Sequence, residues 1–249
     1  MGLPIVSSPY FPEKAESILL TASSACDPDV VGKLDKYLAE GGTAMVTLGF
    51  WEAVRSRGYE NLTSIRSEGR TVTANRYRVE EKEYICVFPE GRKSTTFRVP
   101  EFRNNSTWAL VKTVHDEEND GILLRDWYGD GTLLTLSVPE SRPDLYRLPE
   151  AVLSRIRQEI PVRGVWLEGP SGISLFVYDN DSVILYPYVM DGAQRARVRL
   201  HVKHGSALIA EPGGKKTDPL YFKGNEAVFE LITMPGRYVL YRIERKEKQ

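Results

Sequence analysis

Few residues in this chain have the type and setting to do chemistry. Cys26 follows an apolar run and precedes a helical pattern, where the N–H groups of a helix N-terminus can hold a thiolate. A nucleophile there needs a base, and the histidines are His115, His201 and His204, the last two in a later, all-β stretch. Around it, Ser24-Ala25-Cys26-Asp27 lacks the glycines of a nucleophile elbow. A structural or incidental cysteine is the better reading, and a thiol hydrolase using Cys26 with His115 ranks third among the functions considered. His201 and His204 lie three apart on a strand, so they point to opposite faces and do not converge on a metal. Surface histidines on a basic strand face are the expectation. Gly41-Gly42 reads as a helix stop and Gly213-Gly214 as a turn, so no phosphate loop and no cofactor are implied. Asp126, Asp179 and Asp181 read as turn or strand-end residues.

Aromatic residues offer a second chemistry. Thirteen Tyr and four Trp include Trp127, Tyr128, Tyr186 and Tyr188. The C–H face of a pyranose packs on such rings, so these four are the candidate sugar-stacking residues of a carbohydrate-binding module. The competing reading places them in cores and domain junctions.

Composition removes several classes. Thirty-three Lys and Arg stand against thirty-four Asp and Glu in 249 residues, a formal charge of −1 without the basic excess that nucleic-acid binding needs. No apolar run approaches the ~20 residues of a membrane helix, and the opening residues do not read as a secretory signal. Two cysteines make no disulfide framework. The compartment is left open.

Periodicity supplies the elements that would position these residues. Residues 17–22 (SILLTA) and 43–48 (TAMVTL) are short, uniformly apolar runs suited to buried parallel strands. Between them, Val30, Val31, Leu34, Tyr37 and Leu38 recur at helical spacing, with Asp27-Pro28 as the expected start. A short helix is predicted over 51–56. Strands are predicted over 71–79, 83–88, 95–99, 108–114, 122–127 and 132–138, with the acidic 116–120 as a solvated hairpin tip and 104–106 as a loop. A second helix follows Pro149, with Val152, Leu153, Ile156 and Ile160 on its apolar face and Arg155, Arg157 and Gln158 opposite. The remainder is all β: a hairpin of 173–178 and 183–189, an alternating strand over 195–204 with one charged face in water, and a closing hairpin of 227–232 and 238–243. Two domains are expected, 1–160 and 161–249, with a charged tail at 244–249.

Two stretches carry a resemblance. Residues 18–49, ILLTASSACDPDVVGKLDKYLAEGGTAMVTLG, and residues 127–157, WYGDGTLLTLSVPESRPDLYRLPEAVLSRIR, resemble the glutamine-amidotransferase-like (trimerisation) domain of family 42 β-galactosidases and related bacterial glycosidase-like proteins, and the later GISLFVYDND resembles the start of their small C-terminal β-sandwich. The resemblance covers about two thirds of the chain. It implies a fold class of α/β plus all-β: a partial flavodoxin-like sheet with helices, then a small antiparallel β-sandwich. It also implies an N-terminally truncated domain whose catalytic carboxylates would lie in a preceding barrel. Cys26 does not match the amidotransferase nucleophile, so no catalytic residue carries over. The implied role is a non-catalytic accessory region serving assembly with copies of itself or shaping a neighbouring active site. Carbohydrate binding is the alternative.

Overall fold

The computed structural model describes residues 1–67, 70–88, 94–102, 106–115, 118–188, 196–203, 207–210 and 216–245. His204, the Gly213-Gly214 turn, the 104–105 loop, residues 116–117 of the acidic stretch and the end of the charged tail lie outside the described residues. Sheet predominates and helices are few. The chain divides into two compact units: residues 7–152, and residues 153–249 together with 1–6.

The first unit opens with the expected strand–helix–strand. β1 (Ser17–Leu20) pairs parallel with β2 (Thr43–Thr47), and α1 (Val30–Ala39) connects them. Val30, Leu34, Tyr37 and Leu38 of α1 are buried with Ile18, Leu20, Ala44 and Val46 of the strands in one core. Asp27 does not cap this helix. Asp29 is the N-cap, while Asp27 accepts the Asp29 amide at 3.0 Å and pairs with Lys33 at 2.6 Å. The proline turn thus sits one step before the helix instead of inside it. α2 (Leu48–Ala53) begins directly after β2, three residues earlier than predicted, because Phe50 and Trp51 enter the core. The Trp51 indole donates to Thr135 at 2.9 Å and stacks on Tyr59.

The predicted strand over 71–79 is two strands in two sheets. β3 (Thr71–Ala74) pairs with β6 (Thr95–Arg98), whereas β4 (Arg76–Val79) pairs with β5 (Lys82–Ile85) and β7 (Trp108–His115). β7 continues through a hairpin into β8 (Glu118–Tyr128), and β9 (Gly131–Leu136) closes a seven-stranded sheet of order β1-β2-β9-β8-β7-β4-β5. Only β1, β2 and β9 run parallel; the rest is antiparallel. Gly131 is required where β9 begins, because a Cβ there would collide with the carbonyl oxygens of Leu38 and Gly42.

In the second unit a four-stranded antiparallel sheet faces a five-stranded one. The first has the order β10 (Val165–Glu168), β13 (Ala196–Lys203), β17 (Glu226–Thr233), β16 (Tyr221–Lys223). The second has β11 (Ile173–Val177), β12 (Ser182–Pro187), β18 (Val239–Arg245), β14 (Ala207–Ala210) and β15 (Lys216–Thr217). Apolar side chains of both inner faces, among them Leu167, Leu185, Leu200, Phe229 and Tyr241, form one core. This is the sandwich arrangement of two half-apolar sheets.

α3 (Glu150–Glu159) departs from its pattern at one position. Arg157 is fully buried, not solvated. Its guanidinium donates to the carbonyls of Met1 at 2.5 Å, Gly169 at 2.6 Å and Pro170 at 2.9 Å, with Leu167 at 3.5 Å, all within the second unit. The loop after β10 supplies the Gly169 and Pro170 oxygens, β10 itself that of Leu167 and the first residue that of Met1, and a planar fork of five N–H donors satisfies them together.

Candidate functional site

β7 and β8 place one sequence-predicted aromatic on an open face and turn its neighbour inward. Trp127 is 52% exposed, whereas Tyr128, one residue on and therefore on the opposite face, packs against the core and hydrogen-bonds Asp35. The two do not form one platform. The partner of Trp127 is Trp108, a residue the sequence reading did not select. Trp108 is 61% exposed and stands opposite Arg125, so it shares the face of Trp127. The indole centroids lie 6.3 Å apart at 84°, and the Arg125 guanidinium sits 6.0 Å over the Trp127 ring. The ladder runs from the His115–Glu118 pair to Trp108–Arg125 through register shifts at Val111/Lys112 and Ala109/Val111, so the neighbour emerges from the observed register and not from the sequence. Tyr186 belongs to the second unit, on β12 opposite Ser174, 39% exposed; Tyr188 there is half-buried.

Cys26 is exposed at the end of a 3-10 turn (Ala22–Cys26), and among the described residues no side-chain hydrogen bond joins it to a base. His115 is tied to Asp120 at 2.6 Å, and Asp120 also takes Arg70. β1 and β7, which lead to the two residues, stand four strand spacings apart, roughly 19 Å. Asp120 is accordingly a paired strand residue and not part of a solvated tip. Cys86 is buried, and burial followed by the Asp144 charge raises its pKa to about 11. Native chain treated with a thiol reagent near pH 8 should therefore modify Cys26 rapidly and Cys86 only after denaturant is added. Equal rates for both thiols would contradict these placements.

Asp126 lies near the end of β8, two residues before its last residue Tyr128, and is buried at 3% exposure; the hydroxyls of Thr63, at 2.5 Å, and Thr107 donate to it. The alternation on β8 puts it on the core face, where hydroxyl donors replace water.

A second buried polar cluster centres on a residue that sequence reasoning placed at the surface. His201 is 4% exposed. Its Nδ1 faces Glu226 at 2.5 Å, its Nε2 faces Glu168 at 2.9 Å, and its ring stacks on Trp166 with centroids 3.7 Å apart. Arg199 donates to Glu168 at 2.9 Å. Register explains this: β10, β13 and β17 bring Trp166, His201 and Val228 side by side, with Glu168 and Arg199 in the next row. The alternation of β13 was legible, but not the neighbours that cover its charged face. A carboxylate oxygen stands against each ring nitrogen, so neither nitrogen is open to a metal. Among the described residues no group of three or more His, Cys, Asp or Glu could hold one.

The hydrogen bond from His201, and then the Arg199 charge, hold the Glu168 carboxyl below its usual value of 4.5. A carboxyl that titrates lower in the folded chain stabilises it above the unfolded pKa, and that contribution disappears as pH falls through the folded value. Urea midpoints should therefore drop between pH 6 and pH 3, and the drop should be smaller in Glu168→Gln. Identical pH profiles for the two proteins would refute the assignment.

No protein-family profile matches the chain, and no curated protein matches it in sequence. Solved structures do resemble it. A β-galactosidase from Bacillus circulans sp. alkalophilus aligns over 93% of this chain and 32% of its own at 12% identity, TM-score 0.43. A GH42 β-galactosidase from G. stearothermophilus aligns over 92% of this chain and 31% of its own at 11% identity, TM-score 0.40. A cytoplasmic protein from Salmonella typhimurium LT2 aligns over 55% of this chain and 68% of its own at 13% identity, TM-score 0.37. The chain thus spans about a third of the length of these β-galactosidases. Likenesses of this degree leave the functional reading to the chain's own residues. No helix among the described residues is long and apolar enough to cross a membrane.

Proposed function

We propose that the chain is a non-catalytic accessory region of a glycoside-hydrolase-like protein, acting by association with another copy of itself or beside a catalytic domain. Its α/β unit is read as a partial flavodoxin-like, amidotransferase-like sheet, on the sequence resemblance of residues 18–49 and 127–157. One observation carries the association role. β16 is an edge strand, paired only with β17 among the described residues, and Leu220, Tyr221 and Phe222 are 54%, 41% and 56% exposed in succession. β16 is three residues long, with Pro219 before it and Lys223 at its end, features that discourage edge pairing, and the association role rests on the exposed apolar run of residues 220–222 between them. A second copy of the chain is the occupant this reading commits to.

The non-catalytic half of the proposal rests on how the acidic groups are used. Asp126, Glu168 and Glu226 are each held by structural donors. Purified chain incubated with a panel of aryl glycosides should release no phenol above a heat-killed control. Turnover that disappears on substituting one of its carboxylates would overturn the reading.

The carbohydrate-binding alternative keeps a specific observation in its favour, the exposure of Trp127 beside a second indole.

A further inference from the structure

We infer that Trp108 and Trp127 form a binding corner for a single neutral pyranose at the end of a glycan or in a simple glycoside. This rests on the carbohydrate-binding reading of Trp127 and adds its partner ring, its geometry and its ligand class.

The chain has four tryptophans, and they divide sharply. Trp51 and Trp166 are 0% and 5% exposed, whereas Trp108 and Trp127 leave more than half of each side chain in water. They come from neighbouring strands of one hairpin and are set diagonally, since Trp108 is opposite Arg125 and Trp127 is opposite Thr132 on β9. The 84° angle between the rings at 6.3 Å makes a floor and a wall. Extended polysaccharides are held by coplanar rings spaced along the chain axis, which a perpendicular pair does not offer. A single sugar ring can lay its C–H face on one indole and its edge against the other. Polar groups lie at the rim: Arg125 stacked beside Trp127, and Thr132 across the strand on the same face. The π faces carry partial negative charge and attract the polarised C–H groups of a pyranose.

Collisional quenching of tryptophan fluorescence by iodide reads this corner directly, because iodide reaches Trp108 and Trp127 but not Trp51 or Trp166. Methyl β-D-galactopyranoside, methyl β-D-glucopyranoside and a linear cello-oligosaccharide serve as the probes. The expected result is saturable protection from iodide by at least one methyl glycoside, with a Kd on the order of millimolar. Trp127→Ala and Trp108→Ala should each weaken it roughly five- to tenfold without changing the melting temperature. Absence of saturable protection with every probe would overturn the inference, as would protection that survives in both variants. Much tighter binding of the linear oligosaccharide would also overturn it, by showing an extended cleft. A fall in melting temperature in both variants with no sugar effect would make the pair a structural clasp instead. Sedimentation of the chain reports the β16 edge independently, so loss of sugar binding and loss of self-association are separable outcomes.

Discussion

Replacing Arg157 by methionine is expected to destabilise the second unit by about 3–5 kcal/mol, because it leaves inward-facing carbonyls without a donor. Each buried polar group stripped of its hydrogen bond costs about 1–3 kcal/mol. Arg157 serves four, those of Met1, Leu167, Gly169 and Pro170, the Leu167 contact being long at 3.5 Å. Removing the charge recovers part of its desolvation cost, which keeps the net below the sum. Arg157→Lys should fall between, since a compact ammonium cannot reach the fork of acceptors from one position. Thermal and urea unfolding decide the point. A methionine variant within about 1 kcal/mol of the parent would mean that water or backbone rearrangement satisfies these carbonyls.

The second large effect is expected at His201. His201→Phe keeps the aromatic stack on Trp166 but removes both ring nitrogens facing Glu168 and Glu226, whose side chains are 31% and 12% exposed. Two carboxylates then share a mostly buried site, with Arg199 still reaching Glu168 and the Trp166 N–H still reaching Glu226. A loss of about 2–4 kcal/mol at pH 7 follows from breaking a buried hydrogen-bonded charge cluster. The effect should shrink as pH falls toward 4, because protonation neutralises the two carboxyls that repel. Calorimetry of parent and variant across that range checks both sign and size. A deficit that stays constant or grows on acidification would contradict the arrangement.

These two residues also mark the limit of what the sequence discloses. Periodicity was enough for the strand–helix–strand opening, for the apolar face of α3 and for the alternation of β13, because each follows from the spacing of apolar residues along one element. Arg157 and His201 were misplaced for a common reason. A charged residue on a predicted polar face is read as solvated, and only tertiary register shows that a loop's carbonyls or two glutamates from neighbouring strands have replaced the water. The split at Asn75 between β3 and β4 was hidden for a related reason, since a continuous β pattern does not state which sheet each half joins. At the candidate site Trp127 was recognisable by type, but Trp108 required the hairpin register. The sequence placed Tyr128 with Trp127, although strand alternation sends them to opposite faces. That no histidine is near Cys26 in the order of the residues was visible in the sequence, whereas the strand order that sets His115 four spacings from β1 was not.

Self-association is the most direct consequence of the proposed accessory role. Sedimentation velocity of the purified chain over a hundredfold concentration range, for the parent and for Phe222→Lys, tests it. The account predicts a sedimentation coefficient that rises with concentration in the parent and stays at the monomer value in the variant, whose charge blocks pairing along β16. A parent that remains monomeric throughout, or a variant that associates as strongly as the parent, would contradict it.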